Sequence, residues 1–320
     1  MQELFFELLR VAVGQQECLS RGPSSEEWQA IADEARSQGV QGICYRGVEQ
    51  LFDYGLRIPQ NLALDWMADA EELKERNIII KKRCATLQRK LTERGIRSTV
   101  LKGQGIALYY NDLGGLRQTD AIDLYVNCGK DRTQKFAELT GQQHVNTTRQ
   151  YVAIDAWKDT PVRLYYQLPT VGNVLKKRQR QLWLHRNWEL LFEQNDVLIM
   201  PSATMNTVYM LLELFRQFLH RTMNMQTVVD YFFVLKKYAE GNRSFEDSMT
   251  VDEVFRMLGL SRFAGGVMWL IHDVFHIEKS NLPYSIDEEE GRFLLKSLMG
   301  ECSVIRHYHH LTTHYPTEIL

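Results

Sequence analysis

Two cations and a glycine turn have the types and spacing that suit phosphate binding. Lys102 follows a short apolar β-type run, Thr99–Leu101, and precedes Gly103 and Gln104, so its ammonium can reach a phosphate at the turn. Backbone at a glycine turn can approach a phosphate closely. The guanidinium of Arg117, further along the chain, has the fork geometry that a phosphate accepts bidentately. These residues favour a phosphate-binding turn. The alternatives are an exposed turn lysine at Lys102 and a salt bridge from Arg117 to Asp120 or Asp123.

A carboxylate near the start of an apolar strand is the second chemical signal. Residues 121–126 alternate so that Ala121, Asp123 and Tyr125 share one face. A carboxylate on a buried face needs a partner. Asp123 is therefore a candidate metal ligand, with a salt bridge to Arg117 or Arg163 as the alternative.

The surrounding pattern predicts the elements that position these residues. Residues 1–94 have helical periodicity, residues 95–200 read as an α/β region, and residues 201–320 return to helices. Within the middle region, Thr99–Leu101, Ile122–Val126 and a later hairpin of 151–157 and 161–166 are predicted strands of one sheet. The predicted fold class is α/β (α+β): a small mixed sheet flanked by N- and C-terminal helical segments.

The middle region resembles an uncharacterised nucleotidyltransferase family of the polymerase-beta-like superfamily, in the subgroup of Bacteroides-type bacteria. Leu101-Lys102-Gly103 matches the family turn, and Arg117-Gln118-Thr119 matches an arginine element. Ile122–Val126 matches the second half of a strand that carries Asp-x-Asp. The similarity extends from about Glu3 to about Met268, and the order and spacing of the motifs make it specific.

The resemblance implies a chemistry. Members would transfer a nucleoside monophosphate from an NTP to a hydroxyl acceptor, which is a protein, an RNA or a small molecule. Two carboxylates at i and i+2 on a strand point to one side and suit a pair of Mg²⁺ ions. By this resemblance Asp123 is a metal ligand and catalytic residue with Asp120 as a second acid, and Asp230 supports the site. The nucleotide-binding residues would be Lys102, Gly103, Gln104 and Arg117.

The sequence departs from the family pattern at the acidic motif. Ala121 occupies the position of the first family aspartate, and strand parity points Asp120 away from Asp123 unless a bulge shifts the register. On the later strand, Arg163 occupies the position of the family glutamate and Tyr165 that of a histidine. A cation at position 163 repels Mg²⁺ and can pair with Asp123, so we expect weak activity or none.

The departures continue in the C-terminal helices. Glu213 and Gln217 occupy positions where members tend to carry histidines, and Gln226 replaces an arginine, whereas Asp230 is retained. A non-catalytic nucleotide-binding or protein-interaction module on the same fold is therefore the second hypothesis. A third is a nucleic-acid binder that uses the basic stretches 74–94 and 173–186.

The composition restricts the possible partners and location of the protein less strongly than the motifs do. With 38 basic and 40 acidic residues, a net charge of −2 exerts no global attraction for nucleic acid or anionic membrane. The five cysteines are scattered, which predicts reduced thiols in a cytoplasmic protein. The sequence has neither a basic n-region before an apolar segment nor a long apolar run, so we expect no signal peptide and no contact with a membrane. Four histidines between residues 307 and 314 could bind a metal, but an exposed C-terminal helix or tail is the favoured interpretation.

Overall fold

The computed structural model of the 320-residue chain describes residues 2–52, 54–140, 146–168, 182–195, 197–241, 244–246 and 248–300. The N-terminal part contains four helices: α1 (Gln2–Ala12), α2 (Ser25–Ser37), α3 (Gln41–Phe52) and α4 (Gln60–Thr92). A capping box of Ser24 and Glu27 begins α2, because each satisfies a backbone amide that the first turn leaves free. Pro59 precedes the 33-residue helix α4.

A five-stranded mixed sheet follows. In chain order its strands are β1 (Ser98–Val100), β2 (Ile122–Val126), β3 (Asn146–Thr147), β4 (Tyr151–Trp157) and β5 (Thr160–Tyr165). The spatial order is β1-β2-β5-β4-β3. Only β2 and β5 pair in parallel; the other neighbours are antiparallel. The parallel pair places the middle of β2 directly beside the middle of β5.

Short helical segments connect the strands. Between β1 and β2 lie α5 (Gln104–Ala107) and a 3₁₀ segment (Leu108–Leu116), and α6 (Gly129–Leu139) follows β2. A helical stretch at 182–186, a 3₁₀ segment (Trp188–Leu191) and a separate ribbon of β6 (Glu193–Gln194) and β7 (Ile199–Met200) come after β5. The side chain of Gln88 on α4 ties this ribbon to the sheet, because its amide donates to the carbonyls of Ile199 and Ser98.

The C-terminal part is helical: α7 (Ala203–Leu219), α8 (Met225–Glu240), α9 (Val251–Leu258), α10 (Ser261–Phe275), a 3₁₀ turn (Lys279–Asn281) and α11 (Glu288–Leu298). Apolar side chains of α1–α3 and of α7–α11 share one hydrophobic core. A second core lies between the sheet, α6 and the C-terminal half of α4. The sheet is thus held between helical segments from both ends of the chain.

The predicted fold class is confirmed. The four predicted strands belong to one sheet, and their observed bounds differ from the predicted ones by one residue or fewer. Helix α11 was not predicted. The division at residues 94 and 200 stays a prediction. The histidine cluster at 307–314 and most of the second basic stretch lie outside the described residues.

Candidate functional site

Asp123 lies on β2 directly beside Arg163 on β5. The guanidinium of Arg163 donates through Nε and Nη2 to both carboxylate oxygens of Asp123, at 2.6 and 3.0 Å. Asp123 is buried, whereas the side chain of Arg163 is 35% exposed. This contact was one of the two salt bridges that the sequence offered for Asp123. The arrangement fixes the carboxylate in a bidentate, charge-assisted pair.

Lys102 connects Asp123 to the C-terminal helices. Its ammonium nitrogen lies 3.6 Å from Oδ2 of Asp123 and 2.9 Å from Oε1 of Glu213 on α7. Glu213 is also held bidentately by Arg216, one helical turn further on, at 2.9 and 2.6 Å. Gln217 donates a further hydrogen bond to the same carboxylate, at 3.0 Å. Glu213 is therefore fully satisfied although it is buried.

The five charged groups form one alternating series. Its order is Arg163, Asp123, Lys102, Glu213 and Arg216, and we call it the charge series. Three cations and two carboxylates give it a formal charge of +1. Opposite charges stand next to each other at every step, which allows ionised groups to stay in a mostly buried position.

The charge series sets the protonation of its members. Burial alone would raise the pKa of Glu213, but Lys102 and Arg216 outweigh it and lower the pKa to about 2. Burial likewise tends to lower the pKa of Lys102, yet the carboxylates of Asp123 and Glu213 raise it above its ordinary value. At neutral pH the lysine is charged and Glu213 is ionised.

Arg117 and Asp230 form a separate buried pair. The guanidinium of Arg117 donates to the two oxygens of Asp230 at 2.7 and 2.6 Å, and its third nitrogen contacts the Gln118 carbonyl and the Thr119 hydroxyl. Tyr110 donates to Asp230 at 2.6 Å. The sequence offered Asp120 or Asp123 as partners of Arg117, but Asp230 is the partner. The pair connects the loop before β2 to α8.

The turn residues Gly103 and Gln104 lie at the start of helix α5. Gly103 has φ +59° and precedes α5, a conformation that glycine adopts without strain. Gln104 is buried and donates to the side chain of Asn77 on α4 at 2.5 Å. Asn77 in turn donates to the carbonyls of Gly115 and Arg117. The nucleotide-binding roles of Gly103, Gln104 and Arg117 stay predictions.

Asp120 does not join Asp123. Its side chain is 70% exposed and lies 4.0 Å from Arg76, and Gln118 donates to it at 3.4 Å. No bulge interrupts the register of β2 against β1 or β5. Asp120 precedes β2, whose paired residues begin at Ile122, and its carboxylate points away from Asp123.

The match to known proteins decides the family. Residues 24–276 match the family described as "Uncharacterised nucleotidyltransferase". This chain belongs to that nucleotidyltransferase family. It is also similar to the crystal structure of an antigenic nucleotidyltransferase-like protein from Paracoccidioides brasiliensis, with a TM-score of 0.41 and 13% identity. That similarity covers 65% of this chain and 93% of the other. No curated protein matches the chain.

Nucleotidyltransferases generally use a divalent metal, and the described residues around Asp123 do not fit one. Both oxygens of Asp123 are engaged by a guanidinium, with an ammonium 3.6 Å away. Within the described ranges, no group of three or more His, Cys, Asp and Glu side chains could hold a metal ion. The donor set at β2 and β5 is one carboxylate facing two cations. Mg²⁺, which the resemblance implied, therefore has no suitable ligand set here.

Two residues of the charge series were missed as site residues by the sequence analysis. Glu213 was noted only as a departure from the nucleotidyltransferase pattern, and Arg216 was not singled out. A signal existed, because Glu213 lies between Leu211 and Leu212 on one side and Leu214 and Phe215 on the other. An acid inside an apolar helical run requires a buried cation, and Lys102 supplies it.

Membrane association has no support from helix length and hydropathy. Across the described part of the chain, no helix is both long enough and apolar enough to cross a bilayer.

Proposed function

We propose that this chain is a non-catalytic member of its family, which binds nucleotides but does not transfer them with Mg²⁺. The observation that carries the proposal is the bidentate pair of Arg163 with Asp123, backed by Lys102. The family supplies the nucleotide as the ligand class. The Bacteroides-type subgroup and the cytoplasmic location stay predictions.

Electrostatics supports the loss of metal binding. A divalent ion at Asp123 would stand next to the guanidinium of Arg163 and the ammonium of Lys102. Two unit charges about 4 Å apart repel by about 4 kcal/mol at an effective dielectric of about 20, and a divalent ion doubles that figure. Ala121 supplies no second carboxylate on the same strand face to offset the repulsion.

The remaining route to catalysis would use Asp120, and its position argues against that route. The exposed carboxylate faces Arg76 rather than Asp123. Two-metal transfer needs carboxylates that converge on a pair of ions about 3.5–4 Å apart. Losing one ion removes several kcal/mol of transition-state stabilisation, which corresponds to a few orders of magnitude in rate.

A transfer assay tests the proposal. We expect no transfer from α-labelled NTPs to protein, RNA or small-molecule acceptor pools, with either Mg²⁺ or Mn²⁺. A double variant, Ala121→Asp with Arg163→Glu, restores the family carboxylates and should gain Mn²⁺ binding, measured by electron paramagnetic resonance. Robust transfer by the unmodified chain that is abolished by Asp123→Ala would overturn the proposal.

A further inference from the structure

Two arginines of the charge series each have one guanidinium edge without a partner among the residues that the structure describes. Arg163 uses Nε and Nη2 on Asp123, and Arg216 uses the same two atoms on Glu213. For the Nη1 group of each arginine, the described residues offer no hydrogen-bond acceptor. Both side chains are 35% exposed. Within the described part of the chain, each guanidinium therefore has one edge held by a carboxylate and one edge that no residue contacts.

The two edges lie on either side of Lys102, between β5 and α7, and we call this region the crevice. Arg163 and Tyr165 are two residues apart on β5 and so point to the same face of the sheet. Glu213 and Arg216 are three residues apart on α7 and share one face of that helix. Lys102 joins the two faces, because it contacts both Asp123 and Glu213.

Tyr165 adds a polar group to the crevice. Its ring packs against Tyr151 with centroids 5.1 Å apart, and the residue is 8% exposed. The hydroxyl makes no hydrogen bond to any residue that the structure describes. Burial, with the nearby charge of Asp123, raises the pKa of Tyr165 to about 12, so the hydroxyl keeps its proton and can donate.

These groups suit a phosphate chain. The guanidinium fork matches the spacing of phosphate oxygens, and a charge-assisted bond of this type is stronger than a neutral one. The bound carboxylates already order the two arginines, so ligand binding costs less side-chain entropy. The formal charge of +1 leaves the charge series attractive to an anion and repulsive to a free metal cation.

We propose that the polyphosphate chain of a nucleoside triphosphate binds directly to Arg163, Arg216 and the Tyr165 hydroxyl without a metal ion. This inference rests on the proposed nucleotide binding and specifies how it occurs. The protein's own cations replace the metal that family members use to hold the triphosphate. Mg²⁺ therefore acts as a competitor, because it neutralises the phosphate charge that the arginines recognise.

The first test is whether Mg²⁺ weakens or strengthens ATP binding. Calorimetric titration of the full chain with ATP in EDTA should give tighter binding than titration with excess Mg²⁺, by about tenfold, the scale of one charge-assisted hydrogen bond. Inorganic tripolyphosphate should bind as well under EDTA, whereas adenosine should not. A requirement for Mg²⁺, or binding of adenosine alone, would overturn the inference.

Variants provide the second test. Tyr165→Phe removes only the hydroxyl and should weaken ATP binding by about threefold to tenfold. Arg216→Gln should weaken it by about tenfold or more, because it removes a charged donor. Arg21 forms a similar bidentate pair with Glu27 far from the crevice, so Arg21→Gln should leave the affinity unchanged. Circular dichroism confirms that each variant folds.

The outcomes separate the two proposals. If neither ATP nor tripolyphosphate binds, nucleotide binding itself fails. If ATP binds equally to the Tyr165→Phe and Arg216→Gln variants, only the crevice assignment fails. A cavity of about 290 Å³ lined by Tyr109, Ser202 and Lys237 is then the alternative location. Loss of binding in Lys237→Gln would identify it.

Discussion

The carboxylate of Asp123 and the guanidinium of Arg163 meet across the only parallel strand pair of the described sheet, at 2.6 and 3.0 Å. Parallel neighbours in register place side chains of the same parity side by side. Arg163 thus stands where the resemblance places the third metal-binding carboxylate. The exchange of charge at this position gives Asp123 an ion-pair partner.

The first prediction concerns the stability that this pair supplies. Arg163→Gln should lower the free energy of unfolding by about 2 kcal/mol. That is less than the 3–5 kcal/mol typical of a broken buried pair, because Lys102 still contacts Asp123 and Arg163 is partly exposed. Urea denaturation measures the change. The control is Arg97→Gln, which breaks an exposed pair with Glu189 and should cost about 0.5 kcal/mol. Equal losses in the two variants would contradict this account.

The second prediction concerns Arg117, which the sequence suggested as a phosphate ligand. Because its guanidinium is held by Asp230, Arg117→Ala should destabilise the protein by about 3–5 kcal/mol. The measurement is thermal or urea unfolding. The milder Arg117→Lys keeps the charge, and its ATP affinity should match that of the unmodified protein. A large affinity loss in folded Arg117→Lys would restore the phosphate role.

The third prediction uses the lowered pKa of Glu213. Because the folded-state pKa, about 2, lies below the ordinary value of 4.5, ionised Glu213 stabilises the protein above about pH 4.5, and this contribution is lost as the pH falls toward 2. Glu213→Gln should be less stable than the unmodified chain at pH 7 by roughly 3 kcal/mol. The difference should shrink steadily below about pH 4.5 in urea titrations. A difference that stays constant down to pH 2.5 would show that the ion pairs contribute nothing.

The fourth prediction compares adjacent glycines in the 3₁₀ segment before β2. A Cβ on Gly114 would lie 2.5 Å from the carbonyl oxygen of Ala107, whereas one on Gly115 would meet only the flexible Lys74 side chain at 3.5 Å. Gly114→Ala should therefore destabilise by about 2 kcal/mol or more. Gly115→Ala should change stability by less than about 1 kcal/mol. Thermal unfolding of the two variants side by side tests this, and similar effects would refute the close approach at Gly114.

The sequence predicted the strands, and the face on which each strand residue lies, better than it predicted contacts between residues far apart in the chain. The salt bridge of Asp123 with Arg163 could be predicted, because the alternation within each strand and the resemblance to the family placed both residues on the sheet. The pairing of Arg117 with Asp230 could not, because 113 residues separate them and no local pattern sets how α8 approaches the loop. The contact of Lys102 with Glu213, across 111 residues, has the same cause.

Individual helices also differ in how well the sequence predicts them. The capping box of Thr250 and Glu253 marks the start of α9 in the sequence. Helix α11 was missed although Asp287 caps it and three glutamates follow in its first turn. The tertiary contact that stabilises it is packing of Gly291 against Trp269 on α10.

The alternating order of the charge series also restricts how this lineage can change. Restoring a carboxylate at Arg163 alone would place three acids around Lys102 and remove the guanidinium from Asp123. Replacing Glu213 alone would leave Lys102, Arg163 and Arg216 with a single buried carboxylate. Either change alone would unbalance the buried charges and lower stability, so the charge series can be altered at little cost only by compensating substitutions at two positions.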